Sequence, residues 1–346
     1  DSTTTFWVAT GGDDSSGDGS YTNPWRTRGR AYSVLSSSYD LNCHTVYIRS
    51  KAGTYTDSLQ VYDDRLFGQC APSSVIFSNE TDKACGDVVI QPAAQAGYAF
   101  SAAYGASYKI QCMKVDMTSQ RDAAVNHIIT TGADTVSSGQ GSQIFFGDGL
   151  TFGCNFNGYN HVSVSFGGYA QFDGDFDIDV GSCQVVTTGS TTSASNQITA
   201  LASTNNVIVG QGIIAAGLPL DARIGSISGN TITIACATTP TACVANATAV
   251  DATLTFTGGG QSFLNPGNSS TVYFNTNGQP DYSVIVTLGN YPHFIAGFMF
   301  VNGGSTVNAE AITFVNHIVW IGYPVAQVDS GHKFERQWIE HFLIKF

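Results

Sequence analysis

Charged residues are scarce in this 346-residue chain. Only 12% of its residues are Asp, Glu, Lys or Arg, about half the share found in an average globular protein. The net charge is −12, and the only Lys or Arg between Ala123 and Gly331 is Arg223. Because nucleic acids and anionic membrane surfaces are bound through clustered cations, this composition excludes both as partners. A neutral partner, met through polar and aromatic groups, is expected instead.

Long apolar runs and the common motifs of catalysis are also missing. No run of ~18 apolar residues is present, so no membrane-spanning helix is predicted. The chain starts at Asp1 without Met and shows no signal-peptide pattern, which leaves its targeting undetermined. It has no G-x-S-x-G elbow, P-loop or C-x-x-C pair, and its histidines lack metal-ligand spacing. We therefore predict no cofactor and no metal site.

The eight cysteines are an even number, which would permit disulfides. In their local sequences, however, Cys112, Cys154 and Cys236 alternate in phase with apolar residues, as buried thiols usually do. We therefore expect mostly reduced thiols and assembly in a reducing cytosol. Cys236 and Cys243 are the pair expected to form a local bridge.

Helix-forming residues are few, whereas Gly (38 residues), Ser, Thr and Asn are abundant. Short segments with alternating apolar residues follow one another, with Gly or Asn between them and no helix of 10 to 15 residues. Units of roughly 20 residues that cannot bury a face alone are typical of a solenoid. The fold class predicted is all-β.

Changes in this pattern divide the chain into five parts. In the first part we expect a helix capped by Asn23, with Pro24 at its first position. The third part is nearly free of charge and has a hairpin signal at Ser228-Gly229-Asn230. The fifth has an aromatic stripe at helical spacing, formed by Phe334, Trp338, Phe342 and Phe346. The parts are an N-terminal strand and capping helix (1–40), the first part of the solenoid (41–183), an inserted β-sandwich-like module (184–258), the continued solenoid (259–330) and a C-terminal cap or oligomer contact (331–346).

The stretch "QFDGDFDIDV" (171–180) places an aspartate at every second position. In an extended strand these carboxylates share one face at about 6.5 to 7 Å, a spacing compatible with an inverting glycosidase, a cation site or a solvated face. If Gly174 forms a corner, only Asp177 and Asp179 share a strand face. Tyrosines in the neighbouring glycine-rich corners suit stacking on sugar rings. The candidate carbohydrate-binding residues are Asp173, Asp175, Asp177, Asp179, Tyr159 and Tyr169; no catalytic residue is assigned.

A second group of aspartates lies in "GGDDSSGDG" (11–19). Asp13, Asp14 and Asp18 could in principle bind calcium, but the segment lacks the EF-hand spacing and its closing Glu. Turns stabilised by the aspartate side chains are expected here.

Several segments resemble a known structural class. "FWVATGGDDSSGDGSYTNPWRTRGRAYSVL" (6–35) is similar to the opening of right-handed parallel β-helix proteins of the pectate-lyase-like class, and "AGTYTDSLQV" (52–61) looks like their first rung. The segments 147–181 and 303–314 resemble rungs of phage and prophage tail spikes and tail fibres. The inserted module also resembles small β-modules that decorate such proteins. Gly29 within the capping helix and the charged C-terminal segment depart from the family's pattern.

This resemblance implies a right-handed parallel β-helix with an N-terminal capping helix and an inserted small β-module. It further implies a homotrimeric virion tail spike or fibre, assembled in the host cytoplasm with other virion tail proteins, that recognises a host-surface polysaccharide and in some relatives degrades it. A secreted polysaccharide lyase or glycoside hydrolase is the second hypothesis. The scarcity of cations disfavours the lyase. A purely structural virion fibre or decoration protein is the third hypothesis.

Overall fold

A computed structural model gives the fold of most of the chain. It describes residues 4–61, 66–92, 98–116, 128–131, 141–153, 160–179, 185–205, 207, 209, 211–219, 222–236, 243–257, 263–267, 269–274, 284–288, 299–301, 305–308, 312–315 and 326–328. The predicted C-terminal cap or oligomer contact (331–346) lies outside these residues. Among the described residues, no helix has the length and apolar character needed to cross a bilayer.

Strands dominate the described residues, as the all-β prediction requires. The first fifteen strands and the helices are β1 (Thr4–Val8), α1 (Arg28–Ser38), β2 (Val46–Ser50), β3 (Gly53–Tyr55), β4 (Leu59–Val61), β5 (Val75–Asn79), a 3₁₀ turn (Cys85–Asp87), β6 (Val88–Ile90), β7 (Phe100–Ala102), β8 (Ser107–Ile110), β9 (Met113–Val115), β10 (Ile128–Thr131), β11 (Gln143–Phe146), β12 (Leu150–Phe152), β13 (Val162–Ser165), β14 (Tyr169–Phe172) and β15 (Phe176–Ile178). The others are β16 (Val185–Thr191), β17 (Gln197–Thr199), β18 (Gly212–Ile214), β19 (Ala222–Ser228), β20 (Thr231–Cys236), β21 (Ala249–Thr257), β22 (Leu264–Pro266), β23 (Thr271–Phe274), β24 (Val284–Leu288), β25 (Met299–Val301), β26 (Thr306–Asn308), β27 (Ile312–Val315) and β28 (Ala326–Val328).

Three parallel sheets contain all strands except β16 to β21. Sheet A has the order β1-β2-β5-β8-β11-β14-β23-β26, sheet B the order β3-β6-β9-β12-β15-β24-β27, and sheet C the order β4-β7-β10-β13-β22-β25-β28. From β2 onward the chain visits A, B and C in turn, and each new strand pairs in parallel with the one from the preceding round. Residues far apart in sequence therefore become neighbours at equal positions in successive strands.

Phenylalanine side chains stack inside the three sheets. Phe146, Phe172 and Phe274 occupy the same position in β11, β14 and β23. Their rings are nearly parallel, with centroid distances of 4.3 Å between the first two and 4.7 Å between the last two. All three side chains are buried in one continuous core with residues of every sheet. Because alternate residues of each strand point inward, the residues between them face outward and are available for other roles.

The N-terminal helix begins later than the sequence predicted. Asn23 is not its cap and Pro24 is not its first residue: α1 starts at Arg28 with Thr27 as the cap, whose side chain accepts the Arg30 N–H at 3.1 Å. The preceding Trp25 instead forms a parallel bridge to Val8 at the end of β1. This bridge holds the chain extended, so the helix cannot start before residue 27. The buried side of α1 packs on the core near the first strands of the sheets.

The aspartates of the first loop stabilise turns. Asp13 accepts the backbone N–H of Ser15 at 2.7 Å, and Asp18 accepts that of Ser20 at 2.8 Å. Asp14 accepts the N–H groups of Arg26 and Thr27 at 2.8 and 3.0 Å, which fixes the entry to α1. These side chains are thus used within the loop, as expected of an aspartate-rich turn.

A buried ion pair joins the helix to the first round of strands. Arg28 is fully buried, and its Nε lies 3.1 Å from the Asp57 Oδ2. The Arg28 backbone N–H donates to the same oxygen, and the guanidinium also donates to the Asp57 carbonyl. Its carbon lies 4.8 Å above the Phe100 ring. A charge so completely removed from water depends on this carboxylate.

Strands β16 to β21 form a closed antiparallel barrel with the order β16-β17-β20-β19-β18-β21 and its own core. In the sequence, its strands follow β15 of sheet B and precede β22 of sheet C, within the range 184–258. The prediction of a sandwich-like module was wrong, because β16 pairs with both β17 and β21 and closes the sheet. The hairpin prediction was correct: β19 and β20 pair from Ser228 opposite Thr231, and Gly229 has a φ of 57°.

The cysteines of the described residues form disulfides, so the prediction of mostly reduced thiols was wrong. Cys43 pairs with Cys70 and Cys85 with Cys112, both 27 residues apart in sequence, and the predicted Cys236–Cys243 bridge is confirmed. Each of the first two pairs stands just before two strands that are neighbours in one sheet. Alternation misled at Cys112, because β8 ends at Ile110 and the residue lies in the corner with a φ of 51°. Cys154 lies outside the described residues.

Candidate functional site

The four aspartates of segment 171–180 are distributed over a corner between two sheets. Asp173 directly follows β14 of sheet A, and Asp177 lies in β15 of sheet B, so Gly174 forms the corner that the sequence suggested. Asp175 and Asp177 are exposed, whereas Asp179, just after β15, is half-buried. The four carboxylates therefore do not share one face. Only Asp173 belongs to the outer surface of sheet A.

Strand register places aromatic and polar side chains together on that surface. Tyr169 pairs with Gln143 on one side and Thr271 on the other, and Gln171 pairs with Phe145 and Tyr273. The Tyr169 ring centroid lies 5.8 Å from that of Phe145 and 5.7 Å from that of Tyr273. Tyr169 and Tyr273 are half-buried. Three rings from three adjacent strands thus form one outer cluster.

Hydrogen bonds and an ion pair connect this cluster to Asp173. The Tyr169 hydroxyl donates to the Gln171 Oε1, and the Gln171 amide donates to the Asp173 Oδ1. The other carboxylate oxygen, Oδ2, lies 3.7 Å from the Lys109 Nζ, which comes from β8, two strands away. We call the six residues Lys109, Phe145, Tyr169, Gln171, Asp173 and Tyr273 the Tyr169 patch. Phe145 is buried and the Asp173 side chain is only 8% exposed, so Tyr169, Gln171 and Tyr273 form most of the accessible part of the patch.

Gly147 leaves space for the Lys109 side chain of the patch. It lies at the end of β11, between the strands that carry Lys109 and Asp173. A Cβ at this position would lie 2.5 Å from the Lys109 Cε and 2.9 Å from the Gln111 Oε1. The lysine side chain thus passes close over this glycine, and a Cβ here would force the lysine side chain to shift.

Burial shifts the titration of two patch residues. The pKa of Asp173 is raised, chiefly because its carboxylate is removed from water, although Gln171 and Lys109 oppose the shift. Burial, with added repulsion from Tyr273 and Asp173, raises the pKa of Tyr169 to about 12. At neutral pH the tyrosine is therefore a neutral hydrogen-bond donor with a flat ring. A partly buried carboxylate with a raised pKa is also the kind of group that serves as a general acid.

The outer face of sheet B has a related but simpler arrangement. Lys114 in β9 pairs with Asp116 at 3.2 Å. Asp177 occupies the same row as Lys114, with Thr151 of β12 between them. Aromatic partners comparable to those around Tyr169 are not described on this face. Because Asp177 is exposed, it resembles the solvated carboxylate that the sequence offered as one alternative.

The sequence identified Tyr169 and Asp173 as candidate residues but not the residues that they contact in the folded chain. Phe145, Gln171 and Tyr273 join the patch only through the register of three strands. Tyr159, the other candidate tyrosine, lies outside the described residues. Among the described residues, no group of three or more His, Cys, Asp and Glu side chains is arranged to hold a metal ion.

Comparison with known proteins gives no further guidance, because no family model, curated protein or solved structure matches this chain.

A side chain at the Gly174 corner should destabilise the protein. A Cβ there would collide with the Asp148 backbone nitrogen and lie 2.6 Å from the Gly147 carbonyl carbon. We expect Gly174→Ala to lower the free energy of unfolding by about 1 to 3 kcal/mol, since the backbone must move to admit it. Urea denaturation followed by tryptophan fluorescence measures the change.

Gly29→Ala is the matched control for this substitution. A Cβ at Gly29 would meet nothing within 4 Å. In a helix this replacement should raise stability by up to about 1 kcal/mol. Equal effects of the two substitutions would show that the close approach at Gly174 does not exist.

Proposed function

We propose that the three parallel sheets form a right-handed parallel β-helix and that the protein is a virion tail spike or tail fibre that recognises a host-surface polysaccharide. The observation that carries the proposal is the Tyr169 patch, in which Tyr169 and Tyr273 lie beside Gln171 and Asp173. Flat rings stack on the apolar faces of sugars, and amide and carboxylate oxygens accept hydrogen bonds from their hydroxyl groups. Because Asp173 neutralises the charge of Lys109, this surface suits a neutral glycan.

The repeated geometry of the sheets supports a polysaccharide as the ligand. Successive strands present equivalent outer positions at about 4.8 Å intervals, so a repeating polymer could meet repeated contacts along the stack. As a tail protein the chain would act as a homotrimer with other virion proteins. The disulfides are compatible with the exterior of a virion, because they persist in oxidising surroundings.

A secreted polysaccharide-degrading enzyme is the second candidate. Two observations favour it: the disulfides, which form readily during export, and the raised pKa of Asp173, which suits a general acid. A glycoside hydrolase fits better than a lyase, because the Lys109 amine at the patch is engaged by Asp173.

Binding to bacterial capsular and O-antigen polysaccharides tests the proposal. For the polysaccharide that binds, Tyr169→Ala should weaken binding about tenfold, the loss expected for one stacked ring of about 1.4 kcal/mol. Tyr47→Ala is the control, since Tyr47 also faces outward from sheet A but lies four strands away. Surface plasmon resonance on immobilised polysaccharide measures both.

Two results would contradict the tail-protein proposal. One is the absence of binding to every polysaccharide tested. The other is a native mass equal to a single 36.5 kDa chain, since a tail spike would be trimeric. Release of reducing ends that disappears in Asp173→Asn would place the hydrolase first.

A further inference from the structure

Two exposed aromatic residues have a backbone conformation that aromatic residues rarely adopt. Tyr104 has a φ of 55° and Phe166 a φ of 51°, and these residues are 43% and 61% exposed. Each is followed by a glycine that also has a positive φ, Gly105 at 85° and Gly167 at 74°. The other non-glycine residues with positive φ in the described part of the chain have no aromatic ring.

These two residues occupy equivalent places in the fold. Both lie where the chain passes from sheet C to sheet A, three residues before Ser107 of β8 and Tyr169 of β14. Ser107 and Tyr169 are the two partners of Gln143 in β11, so the two corners are separated by two strand spacings. Along the stack this separation is about 10 Å.

Burial does not account for aromatic residues at these places. A bulky side chain in the left-handed region is strained, because its Cβ approaches the following carbonyl, whereas glycine adopts this region freely. The exposed rings recover little of that cost by burial. Strained residues of this kind are characteristic of sites where the side chain contacts a ligand.

We infer that Tyr104 and Phe166 form a two-ring track that stacks on every second sugar of an extended, uncharged glycan lying along this corner. The inference rests on the proposed function and names its ligand class. The separation of about 10 Å is roughly the length of two pyranose units in an extended chain. The segments 102–107 and 163–170, which carry the two rings, contain no charged residue, which suits an uncharged glycan. Phe166 also lies three residues before Tyr169, which joins the track to the Tyr169 patch.

Replacement of each ring by glycine tests the track without adding strain. Tyr104→Gly and Phe166→Gly should leave the unfolding temperature unchanged or raise it, while each weakens binding of a neutral hexasaccharide about tenfold. The probes are cello-, laminari- and chito-hexaose and the corresponding disaccharides, titrated calorimetrically. A disaccharide cannot reach both rings and should bind more weakly. Replacing the ring that it does not contact should leave its binding nearly unchanged.

Ser269→Gly is the matched control. Ser269 is exposed, has a φ of 62° and lies at the next described corner from sheet C to sheet A, but has no ring. This substitution should leave hexasaccharide binding unchanged.

The outcomes separate this inference from the proposed function. If Tyr169→Ala weakens hexasaccharide binding while both corner variants bind as the wild type does, the proposed function stands and the track is wrong. If the wild-type protein binds none of the hexasaccharides, the track is wrong, and the capsular and O-antigen polysaccharides still decide the proposed function. Loss of binding together with a fall in unfolding temperature in the glycine variants would also overturn the track, because the rings would then be structural.

Discussion

Replacing Asp57 by alanine should lower the free energy of unfolding by about 3 to 5 kcal/mol, because it leaves a buried guanidinium without its carboxylate. Arg28 is fully buried, and both its backbone N–H and its side chain donate hydrogen bonds to the Asp57 carboxylate. Because Arg28 is fully buried, its guanidinium would have to leave its place between α1 and the first strands to reach water. Urea denaturation followed by tryptophan fluorescence gives the free energy, since none of the four tryptophans lies in the barrel range.

Two further variants separate this effect from a general loss of charge. Asp82→Ala removes an exposed partner of Lys83, 3.9 Å away, and should change stability by less than about 1 kcal/mol. Replacing both members of the buried pair, as in Arg28→Met with Asp57→Leu, should cost less than Asp57→Ala alone. A single Asp57→Ala variant as stable as the wild type would mean that Arg28 reaches water.

The alternation of apolar residues was sufficient to predict strands and the direction of their side chains. In β14, Ala170 and Phe172 are buried while Tyr169 and Gln171 face outward, as the pattern indicates. The corner at Gly174 could also be predicted, because glycine interrupts an otherwise regular alternation. In this segment the local sequence thus determines both the faces of β14 and the place where the chain turns.

The composition of the candidate site could not be predicted in this way. Ser107, Gln143 and Tyr169 occupy the same position in three neighbouring strands. Their residue numbers show that the chain segments between these strands differ in length. The next partner in the row, Thr271, follows only after the barrel. Because the register depends on these segments, the contact between Lys109 and Asp173 cannot be read from spacing. It appears only when the strands are stacked.

The prediction of mostly reduced cysteines was wrong for a related reason. Alternation assumes that a strand continues, and Cys112 stands two residues past the end of β8. The equal separations of Cys43 from Cys70 and of Cys85 from Cys112 were the available signal. In a chain that returns to each sheet at intervals of this size, cysteines one round apart meet at the same corner.

Removing the Cys85–Cys112 disulfide is the second change expected to lower the free energy of unfolding strongly. Its Cα atoms are 4.3 Å apart, and it closes a loop of 27 residues that contains β6, β7 and β8. Replacing both cysteines by serine should lower the free energy of unfolding by about 3 to 4 kcal/mol, the entropy that a loop of this length loses when it is cross-linked. Because the corner is retained in the folded state, most of the effect should arise in the unfolded chain. Urea denaturation of the oxidised wild type and the double variant, followed by tryptophan fluorescence, measures it.

Removing the Cys236–Cys243 bridge from the barrel is the control. This bridge closes only 7 residues, and its cysteines are buried in the separate core of the barrel. The Cys236→Ala, Cys243→Ala variant should leave the tryptophan transition unchanged, because every tryptophan lies outside the barrel. If the Cys85→Ser, Cys112→Ser variant also unfolds at the wild-type urea concentration, the link between successive rounds of strands does not stabilise them. The stability of the parallel sheets would then depend on the stacked phenylalanine core and the Arg28–Asp57 pair.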